Sequence, residues 1–176
     1  MKIVMITGSA HRSGTTAALA RQFLRGAEEA GHQVYRFDAA YRNVHPCIAC
    51  EKCRDSGVCV FQDDMRELTL RLLEADAVIF ASPIYYYAVS AQLKTVIDRF
   101  YASGAALHGR KKTALLLAMA DADTAAAEGA LTSFREMAKY LEWTMAGTVA
   151  AVDCANAAAL EGTDYPRQAY DLGKNL

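Results

Sequence analysis

The sequence lacks any run of about 18 apolar residues of the kind that crosses a bilayer. Its opening stretch, Met1–Ile6, is followed at once by Thr7-Gly8-Ser9 and is too short for a secretory leader. An excess of one charge is also missing, since 19 Lys+Arg stand against 20 Asp+Glu for a formal net charge of -1. With no basic run interleaved with aromatics, nothing favours nucleic acid or an anionic membrane as a partner. Internal repeats are absent, and so are several phosphate-handling signatures. Gly8 and Gly14 are separated by five residues and no Lys follows Gly14, so the loop is not a Walker loop. The spaced glycines of the dinucleotide fingerprint are missing as well. A cysteine phosphatase needs Arg six positions after its Cys, and Cys53, Ser56, Cys59 and Met65 stand there instead. A receiver domain needs acidic residues after its first strand, where this chain has Gly8-Ser9. These exclusions lead to the expectation of a cytoplasmic protein, in a compartment where thiols stay reduced.

What is present is enough apolar material for one sizeable core: 53% hydrophobic and 22% charged residues in 176. Apolar runs and helical patterns alternate along the whole chain. Strands are expected at Lys2–Ile6, Gln33–Phe37, Ala77–Ala81 (ended by Ser82-Pro83), Thr113–Ala118 and Thr144–Val152. Helices are expected at Thr15–Ala30, Asp63–Glu74, Ser90–Tyr101, Thr124–Leu141 and Pro166–Lys174, with an Asp64–Glu67 capping box opening the second. Short apolar strands separated by helices imply a parallel sheet covered on both faces, hence an α/β doubly wound fold. The five-stranded order 2-1-3-4-5, the flavodoxin-like order, is the one to expect, with any ligand at the carboxyl ends of strands one, three and four. The chain reads as a single domain, 1–176, with a cysteine-rich insertion at about 39–62 after strand two.

Two segments carry chemistry. Strand one runs through Gly8-Ser9-Ala10-His11-Arg12-Ser13-Gly14-Thr15-Thr16 straight into a helix. Free amides at a helix N-terminus and the helix dipole favour an anion. Ser9, Ser13, Thr15 and Thr16 add hydroxyl donors, and His11 and Arg12 add charge, so the loop suits a terminal phosphate. The plainer alternative is a loop whose hydroxyls only cap the helix. The second segment is Cys47-x-x-Cys50-x-x-Cys53-x5-Cys59. Four cysteines so spaced can hold one [4Fe–4S] centre and no more, although the bacterial ferredoxin run places its fourth cysteine sooner. Zinc also takes four thiolates, but its structural sites usually join two separated pairs. A disulfide or thiol relay, which a reducing compartment disfavours, or unligated thiols in a loop shielding a cofactor, are the other readings. Cys154, at the end of the last strand, reads as a buried small hydrophobe.

Gly8–Thr16 resembles the phosphate loop G-S-x-R-x-x-G-N-T of the NADPH-dependent FMN reductase family, with His11 and Thr15 replacing its usual Arg and Asn. Ser82–Lys94 is similar to that family's S-P-x-Y-x-x-x-x-S-A-x-L-K segment, and Cys47–Met65 resembles the compact cysteine motif of iron–sulfur flavoproteins. The likeness runs from about Lys2 to Arg99. It implies an FMN-dependent oxidoreductase that draws electrons from NAD(P)H or a reduced carrier and passes them to a small-molecule or protein acceptor. The FMN phosphate is then expected on Ser9, His11, Arg12, Ser13, Gly14, Thr15 and Thr16. The ring is expected along Pro83, Ile84, Tyr85, Tyr86 and Tyr87, and any metal on Cys47, Cys50, Cys53 and Cys59. The family also implies a homodimer or higher homo-oligomer. A non-enzymatic electron carrier is the alternative, which a charge near zero mildly disfavours, because such carriers are strongly acidic.

Overall fold

The computed structural model describes residues 1–176. In chain order the elements are β1 (Lys2–Thr7), α1 (Thr15–Glu29), β2 (Gln33–Asp38), the single turn α2 (Cys53–Ser56), α3 (Met65–Glu74) and β3 (Ala77–Tyr85). They continue with β4 (Ala88–Val89), α4 (Ala91–Asp98), α5 (Gly104–Leu107), β5 (Lys112–Ala118), α6 (Glu128–Tyr140), β6 (Thr144–Ala151) and α7 (Tyr165–Lys174). The long strands form a parallel sheet in the order β2-β1-β3-β5-β6, which is the expected doubly wound order once the added hairpin strand β4 is counted.

Alternation along each strand divides the core in two. Ile3, Met5, Ile79 and Leu116 face α1 and α7, where they meet Leu19, Phe23 and Ala169. Val4, Ile6, Phe80 and Leu115 face α3, α4 and α6, where they meet Leu68, Leu93 and Phe134. The central strands are therefore apolar on both sides, which is why they read as continuous hydrophobic runs. Helices α1 and α7 meet backbone to backbone: a Cβ on Gly26 would lie 2.1 Å from the Tyr170 carbonyl oxygen, and one on Gly173 2.2 Å from that of Phe23. No helix is long and apolar enough to cross a membrane.

Three expectations are corrected. Strand β3 does not stop at Ser82-Pro83 but runs to Tyr85, with Ser82 and Pro83 in register with Leu117 and Ala118. The turn lies further on, at Tyr86–Tyr87, where the chain doubles back to pair Tyr85 with Ala88. The helices expected from Ser90 and Thr124 are each split, with 3₁₀ turns at Arg99–Ser103 and Thr124–Ala127. The Asp64–Glu67 capping box does not form, because Asp64 turns its carboxylate to the Asn43 amide and Asp63 accepts from Met65.

Candidate functional site

At the carboxyl end of β1 the chain enters its loop directly beside β3, with the Gly8 amide donating to the Ala81 carbonyl at 2.8 Å. Gly8 has no room for a side chain: a Cβ would lie 2.2 Å from Ser90 Oγ and 2.7 Å from Leu93 Cβ. Ser90 donates from Oγ to the Gly8 carbonyl at 2.8 Å and accepts from the Leu93 amide as N-cap of α4. A buried serine thus ties the β1 loop to the start of α4. The sequence places Ser90 at a helix start and within a motif; its link to Gly8 is visible only in the structure.

Helix α1 begins at Gly14 with no side-chain cap and no acidic residue in its first turn. The amides of Thr15, Thr16 and Ala17 have no acceptor in the protein. Three uncommitted amides at the positive end of a 15-residue helix favour an anion there. Ser9, His11, Arg12 and Thr16 line one cavity of about 270 Å³ beside them, together with Thr7, Ala17, Arg36, Asp38 and Tyr41. Of the loop residues, Ser13 and Gly14 do not line it. Thr15 is buried, does not line the cavity and spends its hydroxyl on the Cys154 carbonyl at 3.0 Å, which leaves its amide as its uncommitted donor. Ser9 Oγ accepts from the His11 amide at 3.1 Å and shapes the turn.

The β2 side of this cavity was not foreseen. Asp38 accepts from Thr7 Oγ1 at 2.6 Å and pairs with Arg36 at 2.8 Å, while the Arg12 guanidinium lies 3.8 Å from the Tyr41 ring centre. The signal was present in outline, since parallel pairing of the first two strands puts Thr7 opposite Asp38.

Pro83, Ile84, Tyr85, Tyr86 and Tyr87 do not line that cavity; the sheet brings them alongside the loop through the β1–β3 pairing. Tyr86 and Tyr87 form a two-residue hairpin turn with φ of 47° and 65°. Such turns favour Asn and Gly, and bulky residues there carry strain of about 1 kcal/mol or more each. Tyr86 is 99% exposed. Strained, solvent-facing tyrosines at the carboxyl edge of the sheet are poor choices for stability alone.

The cysteine segment lies between β2 and α3 and is irregular apart from α2. Cys47, Cys50, Cys53 and Cys59 are all unpaired thiols and all line one small cavity of about 30 Å³, with Ile48, Val60, Phe61 and Arg99 among its other walls. No three His, Cys, Asp or Glu side chains are drawn together closely enough to ligate one ion. A volume near that of one water means that any larger group seated there moves the loop outward. Ala49 and Glu51, on either side of Cys50, take left-handed φ of 52° and 57°. Asp63 and Arg99, both 2% exposed at the side chain, close the segment with a 2.7 Å ion pair. Burial works against the Arg99 charge, yet Asp63 and, to a lesser degree, Cys59 hold its pKa above the ordinary value. Burial likewise opposes the Asp63 carboxylate, but hydrogen bonds from Arg99 and the His45 amide hold its pKa below the usual range. Cys154 is buried as expected, and burial pushes its thiol pKa up.

Fold and loop together define a flavodoxin-like α/β protein with an anion-favouring turn at its topological switch point. A family profile for NADPH-dependent FMN reductases matches residues 1–157, and the chain belongs to that family. It is 38% identical over 99 residues to an iron-sulfur flavoprotein of Methanocaldococcus jannaschii, covering 56% of this chain and 51% of that protein. It is 39% identical over 104 residues to an iron-sulfur flavoprotein of Archaeoglobus fulgidus, covering 59% and 47%. The chain spans about half the length of these curated relatives. Among solved structures, an NAD(P)H:quinone oxidoreductase from Methanothermobacter marburgensis superposes with a TM-score of 0.76 at 18% identity, over 99% of this chain and 95% of that one. An FMN-dependent NADH-azoreductase from Bacillus anthracis, in complex with FMN, superposes with a TM-score of 0.68 at 14% identity, over 99% and 97%. At such identities the structural likeness establishes the fold.

Proposed function

We propose that the protein is an FMN-dependent oxidoreductase that takes electrons from reduced nicotinamide or a reduced carrier and delivers them to a small-molecule or protein acceptor. The observation that carries this reading is the uncapped start of α1: three amides without acceptors beside a cavity walled by Ser9, His11, Arg12 and Thr16. These groups fit a dianionic phosphate. Thr15, Thr16 and Ala17 offer backbone donors, Ser9 and Thr16 hydroxyls, and Arg12 a cation whose planar face is held by Tyr41. Ser13 and Gly14 shape the turn that presents them. When bound, FMN supplies both hydride and single-electron chemistry. Pro83–Tyr87 would border its ring, and the strain at Tyr86 and Tyr87 supports a binding role for that hairpin.

Cys47, Cys50, Cys53 and Cys59 are assigned to one [4Fe–4S] centre. Support comes from the donor set, four thiols on one mostly apolar cavity, with a buried cation to offset their charge as thiolates. Assembly as a homo-oligomer is part of the same reading, with the exposed Tyr86–Tyr87 turn and cysteine loop as the surfaces to be covered.

The test is anaerobic purification followed by FMN, iron and sulfide assays and an absorption spectrum. Bound FMN with steady NAD(P)H oxidation is the expected result. A colourless protein that cannot be reconstituted with FMN refutes the central claim, and a yellow protein that never takes up iron refutes the cluster alone.

A further inference from the structure

The neck of the cysteine segment is built more elaborately than a loop closure requires. Asp63 accepts from the His45 amide at 2.9 Å while Arg99 donates to the His45 carbonyl at 2.8 Å, so one ion pair grips both sides of a single residue. Arg99 reaches Asp63 twice, from Nη1 at 2.7 Å and Nη2 at 3.2 Å. Phe61 completes the clasp, stacked on the His45 ring at 4.9 Å with the guanidinium 5.2 Å from its centre. His45 precedes Cys47 and Asp63 follows Cys59, so all four cysteines hang from this clasp.

A staple of that kind would be complete with both terminal nitrogens engaged. One nitrogen is left without any acceptor: Arg99 Nε is buried and has no partner. A buried donor left unpaired destabilises the folded chain unless something completes it. Arg99 lines the cavity shared by the four cysteines, and also a neighbouring cavity of about 230 Å³ that it shares with Cys59. Arg99 comes from the turn after α4, outside the cysteine segment, so its placement does not depend on the loop's own conformation.

We propose that Arg99 is the positioning and potential-setting residue of the cysteine centre: clamped by Asp63, it offers Nε–H to the sulfur at Cys59 and a buried positive charge to the ligand set. This rests on the [4Fe–4S] assignment above. An added electron increases the negative charge on the sulfurs, so a fixed donor and cation beside them favour the reduced state and raise the midpoint potential. Asp63 opposes part of that field while holding the donor in place.

The experiment compares anaerobically reconstituted wild type, Arg99→Lys and Asp63→Asn by iron and sulfide content and by redox titration followed by EPR. Arg99→Lys keeps a charge and loses Nε; its midpoint falls by about tenfold in the one-electron equilibrium, or about 59 mV. Asp63→Asn removes the opposing charge and shifts the midpoint upward. Opposite signs distinguish tuning from stapling, because a purely structural clasp moves neither midpoint or moves both the same way. Iron-loaded variants with unshifted or like-signed midpoints overturn the proposal while leaving the cluster assignment intact. Wild type that takes up no iron overturns both. If Arg99→Lys does not fold, Arg99→Gln takes its place: a midpoint below wild type supports the proposal, and an unshifted midpoint in the iron-loaded variant overturns it.

Discussion

Removing the hydroxyl of Ser90 separates the two jobs assigned to it. In the native protein Oγ donates to the Gly8 carbonyl at 2.8 Å and caps α4 through the Leu93 amide at 3.3 Å, in a fully buried setting. Ser90→Ala loses an N-cap, about 1 kcal/mol, and strips a buried carbonyl of a donor, about 1–3 kcal/mol. These overlap because one hydroxyl serves both, so a total of about 2–3 kcal/mol is expected. For a chain of this size each kcal/mol lowers Tm by about 2–4 °C, giving a fall of about 4–12 °C. Urea denaturation and thermal melting of the cofactor-free protein measure it, with Ser133→Ala as a control because that hydroxyl is exposed. The control should stay within about 0.5 kcal/mol of wild type. A Ser90→Ala loss equally small would refute the claim that this cross-link holds the β1 loop against α4.

The other predictions concern the two ends of the site and the opposite end of the sheet. Arg12→Ala combined with Ser9→Ala weakens FMN affinity through the phosphate; unchanged affinity in a fluorescence titration contradicts the placement of the anion. Replacing Tyr86–Tyr87 with Asn–Gly relieves left-handed strain and stabilises the protein by about 1–2 kcal/mol in urea, while weakening FMN binding. Stabilisation without any loss of affinity would remove the hairpin from the site. Gly129→Ala places a Cβ 2.6 Å from the Tyr87 carbonyl oxygen and costs about 1–3 kcal/mol of stability, read by the same denaturation. Buried Lys111 donates to the Ala75 carbonyl at 2.7 Å, and burial lowers its pKa below 10.5 although Asp76 opposes the shift. Between the folded and unfolded pKa the unfolded chain binds the extra proton, so this residue's contribution to stability rises as pH increases toward 10.5. Stability measured from neutral to alkaline pH should therefore climb in wild type relative to Lys111→Met; parallel curves would show that the lysine titrates normally.

Most of the architecture was legible in the residues because the sheet is buried on both faces. Runs such as Ile3–Ile6 and Ala77–Ala81 carry no polar interruption, and the helices between them keep one apolar stripe. The turn into α1 was legible for a local reason: its free amides belong to consecutive residues at a helix start. Ser82-Pro83 misled because proline suggests a strand end, whereas here the sheet continues past it to a hairpin. Asp64 misled because the Asn43 amide, distant in sequence, competes for its carboxylate.

By itself, the sequence determined the doubly wound order, the glycine-bounded turn between β1 and α1 and the presence of four closely spaced thiols. These depend on periodicity and short-range spacing, which sequence records directly. Only the tertiary structure decided that Ser90 locks Gly8, that Thr15 turns its hydroxyl away to Cys154, and that Arg36, Asp38 and Tyr41 wall the loop's cavity. It also decided that Arg99 closes the neck of the cysteine segment. Each of these joins residues far apart in the chain, through contacts that exist only once helices pack on a sheet and exclude water from charged and polar groups. No local pattern encodes them.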